Sequence, residues 1–98
     1  MKYFVYVDEA IYCGLHGLYT QAVIEAADGR DAYEVGLDLG RDFIEGYSNV
    51  YEDEEDIEFQ VRVFPIHSSI NLSTRELDKI CADMDWQDFA ERFCDEEV

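Results

Sequence analysis

The segment Asp28–Tyr47 constrains the fold more than any other part of the chain, because it has a strongly amphipathic helical pattern. At 100° per residue, five of its acidic residues fall within an arc of about 80°. These five residues, the acidic stripe, are Asp31, Glu34, Asp38, Asp42 and Glu45. The opposite arc holds apolar residues and glycines, namely Ala32, Val35, Gly36, Leu39, Gly40, Phe43 and Tyr47. The pattern predicts a helix that packs its apolar arc on the domain and turns the acidic stripe to solvent.

Both ends of this helix have residues typical of helix termini. Asp28 is suited to the N-cap, and Asp31 stands where a capping box places its acid. Gly46 suits the left-handed position that follows a helix. Gly36 and Gly40 each cost about 1 kcal/mol relative to Ala within a helix. Because both lie on the apolar arc, we expect the helix to approach a sheet closely there.

Three further segments have the composition of β-strands. Lys2–Val7 is apolar on both faces, which predicts an interior strand covered on two sides. Leu18–Ala26 alternates and is expected to pair antiparallel with it. Ile57–Pro65 also alternates, and Pro65 marks a strand end or an edge. Its inward side chains are predicted to be Ile57, Phe59, Val61 and Val63, and its outward ones Glu58, Gln60 and Arg62. The connections are predicted at Asp8–Gly17, Ser48–Asp56 and His67–Leu72.

The C-terminal region changes its hydrophobic phase. Ser73 and Glu76 form a capping box ahead of a helix that buries Leu77, Ile80, Cys81 and Met84. The next apolar residues recur at helical spacing about 180° out of phase, at Trp86, Phe89, Ala90 and Phe93. One straight helix cannot bury both sets, so we predict a break at Asp83–Asp85, with Asp85 capping a last helix, Trp86–Asp95.

These elements predict one α+β domain over residues 1–98, with the order β-β-α-β-α-α. We expect a three-stranded antiparallel or mixed sheet, packed against helices and covered on one face chiefly by the central helix. The apolar content of 48% and the aromatic content of 14% suit such a packed core.

The charge of the chain is extreme, with 24 acidic against 7 basic residues and a net charge of −17. Such a surface disfavours direct binding to nucleic acids and to anionic membranes, and it attracts basic proteins. An alternative is that the acidity serves solubility or adaptation to high salt.

The lack of a recognisable targeting signal and the spacing of the cysteines favour a cytoplasmic protein. The N-terminal residues lack the pattern of a signal peptide, and no apolar stretch approaches the length of a membrane span. The three cysteines, Cys13, Cys81 and Cys94, are odd in number and form no C-x-x-C motif. We expect reduced thiols.

Signals of catalysis are poor, because the chain has no hydrolase, zinc-protease or phosphate-loop motif. Cys13 and His16 have the spacing of two metal ligands, and Cys81 and Cys94 could in principle complete a site, but both lie on apolar helical faces, which favours core thiols. As a nucleophile and its base, Cys13 and His16 lack an evident third, orienting group. We therefore predict a protein that is not an enzyme and has neither cofactor nor metal. A metal-dependent or thiol enzyme remains an alternative reading.

The acidic stripe is unusual because Glu34/Asp38 and Asp38/Asp42 are like-charge i,i+4 pairs, which repel by a few tenths of a kcal/mol. The stripe spans about 21 Å at 1.5 Å per residue. One DNA strand presents about six phosphates over that length. A second acidic block follows, formed by Glu52, Asp53, Glu54, Glu55, Asp56 and Glu58. Further acids near the C-terminus could add a second row, at Asp88, Glu91, Asp95, Glu96 and Glu97.

This charge pattern is similar in kind to that of acidic proteins that mimic DNA. They include antirestriction and anti-CRISPR proteins of phages and other mobile elements, and acidic immunity proteins that cap basic nucleases. The likeness is one of charge alone and assigns no residue a role. It implies an inhibitor or adaptor whose acidic face binds a basic, nucleic-acid-binding protein. The alternative is a structural or ligand-binding domain whose charge serves solubility.

Overall fold

The computed structural model describes residues 1–10, 19–45 and 58–98, except for the side chains of residues 9, 10, 43–45, 58 and 59. The elements follow the predicted order β-β-α-β-α-α. They are β1 (Lys2–Ala10), β2 (Tyr19–Glu25), α1 (Gly29–Glu45), β3 (Glu58–Pro65), α2 (Thr74–Ala82) and α3 (Trp86–Phe93). The predicted helix end at Gly46 and the predicted loop at Ser48–Asp56 fall outside the described residues.

The strands form an antiparallel sheet in the order β2-β1-β3. The strand that is apolar on both faces, β1, is the central one, as predicted. In its register Phe4 lies opposite Val23 of β2 and Phe64 of β3. The sequence placed Asp8–Ala10 in a connection, and this was wrong, because their backbone continues to pair with β3 as far as Glu58. Main-chain pairing does not require the apolar pattern that ended the predicted strand at Val7.

Helices cover both faces of the sheet. On one face α1 packs against the odd-numbered residues of β1, and the buried residues there are Tyr3, Val5, Val7, Ala26, Ala32 and Val63. The other face is covered by α2 and α3, and its buried residues are Phe4, Tyr6, Val23, Phe64, Leu77, Cys81 and Phe89. The role of α1 was predicted, whereas the sequence had not assigned a helix to the second face.

This second covered face changes the environment of Arg62. Its side chain was predicted to face solvent, and this was wrong. Arg62 is half-buried on the face that α3 covers, with its guanidinium 5.1 Å from the centre of the Trp86 ring. A cation held over an indole gains electrostatic attraction, and its aliphatic stem packs as an apolar group.

The C-terminal helices break where their hydrophobic phase changes, between Ala82 and Trp86. The capping box of α2 is present, since the Ser73 hydroxyl accepts from the Glu76 N–H at 3.1 Å. The Asp85 carboxylate caps α3 by accepting from the Gln87 N–H at 3.2 Å. No helix in the described part of the chain is both long and apolar enough to cross a lipid bilayer.

Candidate partner-binding surface

The acidic stripe begins at a locally fixed helix start. The Asp28 carboxylate accepts from the Asp31 N–H at 2.8 Å, as an N-cap should. The Asp31 carboxylate accepts in turn from the N–H of Ala27 at 3.1 Å, one residue before the position that a standard capping box uses. The first acid of the stripe is therefore held in place by the cap itself.

The helix has a solvent-exposed acidic side and a buried side, as predicted. All four described side chains of the stripe are exposed, namely Asp31, Glu34, Asp38 and Asp42. On the opposite side Ala32, Gly36 and Gly40 are buried, while Val35 and Leu39 are half-buried. The stripe therefore presents a regular row of carboxylates about 17 Å long between Asp31 and Asp42.

The remaining predicted acids cannot be placed on this surface. Glu45 is the last residue of α1 and Glu58 the first of β3, and neither side chain is among those described. The other predicted members lie outside the described residues, namely Glu52, Asp53, Glu54, Glu55 and Asp56.

The charge of the stripe is poorly neutralised within the described part of the helix. Arg41 contacts Asp38 at 3.4 Å, and these side chains are 69% and 72% exposed. An ion pair this open to water contributes little to stability. The last turn of α1 carries no basic residue. The i,i+4 repulsions of Glu34 with Asp38 and of Asp38 with Asp42 therefore largely persist in the free protein.

Two apolar residues that sequence reasoning did not single out lie on the flank of α1 between the acidic and the apolar arcs. Tyr33 is 44% exposed, and Leu37, four residues later, is half-buried. Residues four apart are neighbours on a helix surface, so the two side chains share one side of α1. Their helical angles lie outside both the apolar and the acidic arcs. Apolar residues at such angles are the feature of the sequence that could have identified them. By helical angle Tyr33 lies about 140° from the centre of the acidic stripe, so its ring is not part of that row of carboxylates.

The C-terminal acids do not extend the stripe into one continuous row. Asp88 and Glu91 belong to α3, which lies on the opposite face of the sheet from α1. Glu97 pairs with Arg62 at 3.1 Å, and Asp95 lies 3.7 Å from His67. A partner that covers the stripe would therefore not reach the acids of α3 on the same flat surface.

The described thiols are placed as packing groups. Cys81 is fully buried and its Sγ donates to the Asp78 carbonyl at 3.1 Å. Burial, with a smaller effect of Asp78, raises the pKa of Cys81 to about 12. Burial and the neighbouring Asp95 raise the pKa of Cys94 to about 12. Such thiols are poor nucleophiles at neutral pH.

Possible metal ligands do not come together in the part of the chain that the structure describes, where no three His, Cys, Asp or Glu side chains are grouped to hold an ion. Cys13 and His16, the pair considered from sequence, fall outside that part. His67 accepts from the Ser69 N–H at 3.1 Å in an exposed turn, which is a local contact that stabilises the turn.

No protein-family model, curated protein or solved structure matches this chain.

Proposed function

We propose that the protein is an interaction or inhibitor module that binds a basic protein through the acidic stripe of α1. The partner is a nucleic-acid-binding protein, and the carboxylates take the place of phosphates, as in antirestriction or anti-CRISPR inhibitors. The observation that supports this proposal is the row Asp31, Glu34, Asp38 and Asp42, whose side chains are all exposed and which, among the described side chains, makes one weak ion pair, between Asp38 and Arg41.

The spacing of the row suits cations that normally bind a nucleic-acid backbone. Successive acids are three or four residues apart, which corresponds to a rise of about 4.5–6 Å along the helix. Phosphates on one DNA strand recur at about 3.4 Å of axial rise, so the helix offers a comparable though sparser charge density. Because the carboxylates stand on a packed helix, little backbone conformational entropy is lost when a partner binds them.

Repulsion within the stripe also favours a basic partner. The pairs Glu34/Asp38 and Asp38/Asp42 oppose helix formation in the free protein. A Lys or Arg placed between such carboxylates would replace this repulsion by attraction. Since the charges are exposed, the attraction is long-ranged and screened by salt, and it acts mainly on the rate of association.

The decisive variant reverses the middle of the stripe, as Glu34→Lys, Asp38→Lys and Asp42→Lys together. A matched control reverses three exposed acids away from α1, as Asp83→Lys, Glu91→Lys and Glu96→Lys, with the same change in net charge. Wild-type protein is used first to capture basic nucleic-acid-binding partners from host extract. The affinity of each chain for the purified partner is then measured at two salt concentrations.

We expect the stripe variant to lose at least about a hundredfold in affinity, because several close charge pairs become repulsive. The control variant should lose only a few-fold, through the weaker long-range field. Wild-type affinity should fall steeply as salt rises. Equal affinity of the stripe variant and the wild type would refute the proposal and leave the stripe as a solvated face that serves solubility.

A further inference from the structure

The C-terminal part of the outer edge of β3, from Val63 through Pro65 to the following Ile66, is occupied by the chain's own C-terminal segment, Cys94–Val98. Cys94 forms an antiparallel bridge with Ile66. The N–H of Asp95 donates to the Pro65 carbonyl at 2.9 Å, and the N–H of Val98 donates to the Val63 carbonyl at 2.9 Å. The segment therefore uses the backbone groups that β3 turns away from β1.

Side chains reinforce this placement. Arg62 of β3 pairs with Glu97 at 3.1 Å, and His67 lies 3.7 Å from Asp95. The methyl groups of Val98 lie against Gly29 at the start of α1, where an added Cβ would be 2.7 Å from Val98 Cγ1. The segment is thus held at several points along the sheet edge, although each contact is exposed and individually weak.

The segment also places negative charge on the edge that it covers. Asp95, Glu96 and Glu97 are consecutive and all exposed. Natural sheets limit edge-to-edge association by covering a strand edge and by putting charged side chains on it. Here one segment supplies both the cover and the charge.

We infer that the outer edge of β3 is a strand-pairing surface that fits a second copy of this chain, and that the segment Cys94–Val98 keeps two copies apart. An antiparallel partner already occupies this edge, and two β3 strands related by a twofold axis would pair in the same sense. Lifting the segment would free the carbonyls of Val63 and Pro65 and remove three negative charges from the contact. This inference does not depend on the proposed function.

The test removes the two backbone donors of the segment by proline substitution. The variant Asp95→Pro with Val98→Pro cannot donate to Pro65 or Val63, because proline has no N–H. The matched control is Glu96→Pro, since the Glu96 N–H is not one of the two that bond to β3. Circular dichroism and denaturant unfolding establish that each variant is folded. Nitrogen-15 relaxation reports the mobility of residues 94–98, and sedimentation velocity reports mass over a range of protein and salt concentrations.

We expect the double variant to show a mobile C-terminal segment and a dimer that strengthens with protein concentration and with salt, which screens the net charge. Wild type and the Glu96→Pro control should remain monomeric under the same conditions. A mobile segment without dimerisation would overturn the inference. A segment that stays ordered in the double variant would also overturn it, since the two amide bonds would then not be what holds the cover in place. Dimerisation of the wild type through β3 would contradict it as well.

Discussion

A methyl group on Gly36 would lie 2.6 Å from Cγ1 of Val61, so α1 rests on β3 with no room for a side chain at this position. The same added atom would lie 2.8 Å from Cγ1 of Val5 on the central strand. Both valines belong to packed strands and cannot move away freely. The glycine therefore sets the distance between the helix that carries the acidic stripe and the sheet.

Gly36→Ala should accordingly destabilise the protein, although alanine is the better helix former by about 1 kcal/mol. Overpacking of a core commonly costs about 1–3 kcal/mol, and we expect a net loss in this range in the free energy of unfolding. Urea unfolding followed by circular dichroism measures it.

Gly29→Ala is the matched control, because its tight contact is with the side chain of Val98, which is 69% exposed and has room to shift. Gly29→Ala should change the free energy of unfolding by no more than about 0.5 kcal/mol. If Gly36→Ala were as stable as the wild type, α1 could not be packed as closely as the structure shows.

Asp78 should stabilise the outer edge of β2. Its carboxylate accepts from the backbone N–H of Val23 at 3.0 Å, and so joins α2 to the strand. Asp78→Ala leaves this half-buried N–H without its acceptor and should cost about 1–2 kcal/mol in unfolding free energy. Asp78→Asn keeps an oxygen acceptor and should restore most of the loss. If denaturant titrations showed the same loss of unfolding free energy for Asp78→Ala and Asp78→Asn, the contribution of Asp78 would come from its charge and not from this hydrogen bond.

Replacing two acids of the stripe by lysine should stabilise the free protein. In Glu34→Lys with Asp42→Lys, Asp38 gains two attractive i,i+4 neighbours in place of two repulsive ones, which outweighs the one attractive i,i+4 pair, Arg30 with Glu34, that becomes repulsive. We expect a gain of about 0.5–1 kcal/mol in unfolding free energy at low salt, which shrinks as salt is raised.

The neutral variant Glu34→Gln with Asp42→Gln serves as the comparison for the lysine variant. It should give a smaller gain, since it removes repulsion without adding attraction. Thermal or urea unfolding at two salt concentrations measures both variants. A gain that did not respond to salt would argue against an electrostatic origin.

The buried thiols should react slowly in the folded protein. Burial raises the pKa of Cys81 and of Cys94 from 9.0 to about 12, so the folded state holds roughly a thousandfold less thiolate near neutral pH. In a Cys13→Ser background, thiol reagents at pH 8 should label the native protein far more slowly than the urea-unfolded protein. Rapid labelling of Cys81, which is fully buried, would contradict the structure, whereas the half-buried Cys94 should react somewhat faster than Cys81.

The same pKa shifts set a direction for stability at high pH. A thiol with a raised folded-state pKa contributes its full stabilisation below the unfolded-state value of 9.0. This contribution is lost as pH rises from about 9 towards 12, since the unfolded state ionises first. The variants Cys81→Ser and Cys94→Ser each lack one thiol that ionises in this range. Their unfolding free energy should therefore fall less steeply between about pH 9 and pH 12 than that of the protein with both thiols.

Local pattern was sufficient to predict the elements and their order, but not all of their ends. The strand β1 continues to Ala10 instead of ending at Val7, and α3 ends at Phe93 instead of the predicted Asp95, because Cys94 is extended and pairs with Ile66. The 3.6-residue period of α1 correctly separated exposed acids such as Asp38 from buried positions such as Gly36, because helical geometry is fixed by the backbone. The phase change after Met84 predicted the break between α2 and α3 for the same reason. The caps at Ser73 and Asp85 could be predicted because a cap involves only residues three or fewer positions apart.

Long-range placement could not be read from the same patterns. The alternation of β3 assigned Arg62 to solvent, and only the packing of α3 on that face brought Trp86 over it. The pairing of Asp8–Ala10 with β3 likewise depends on a strand about fifty residues away, and no local pattern marks it.

The sequence by itself therefore determined the type and order of the described helices and strands and which side of α1 carries charge, since these depend on neighbours within one or two turns. Only the tertiary structure decided that α1 and α3 lie on opposite faces of the sheet, that the acids of α3 are thereby separated from the stripe, and that Cys94–Val98 lies along β3. These relationships depend on contacts between segments distant in the chain, where burial and backbone pairing, not periodicity, select the arrangement.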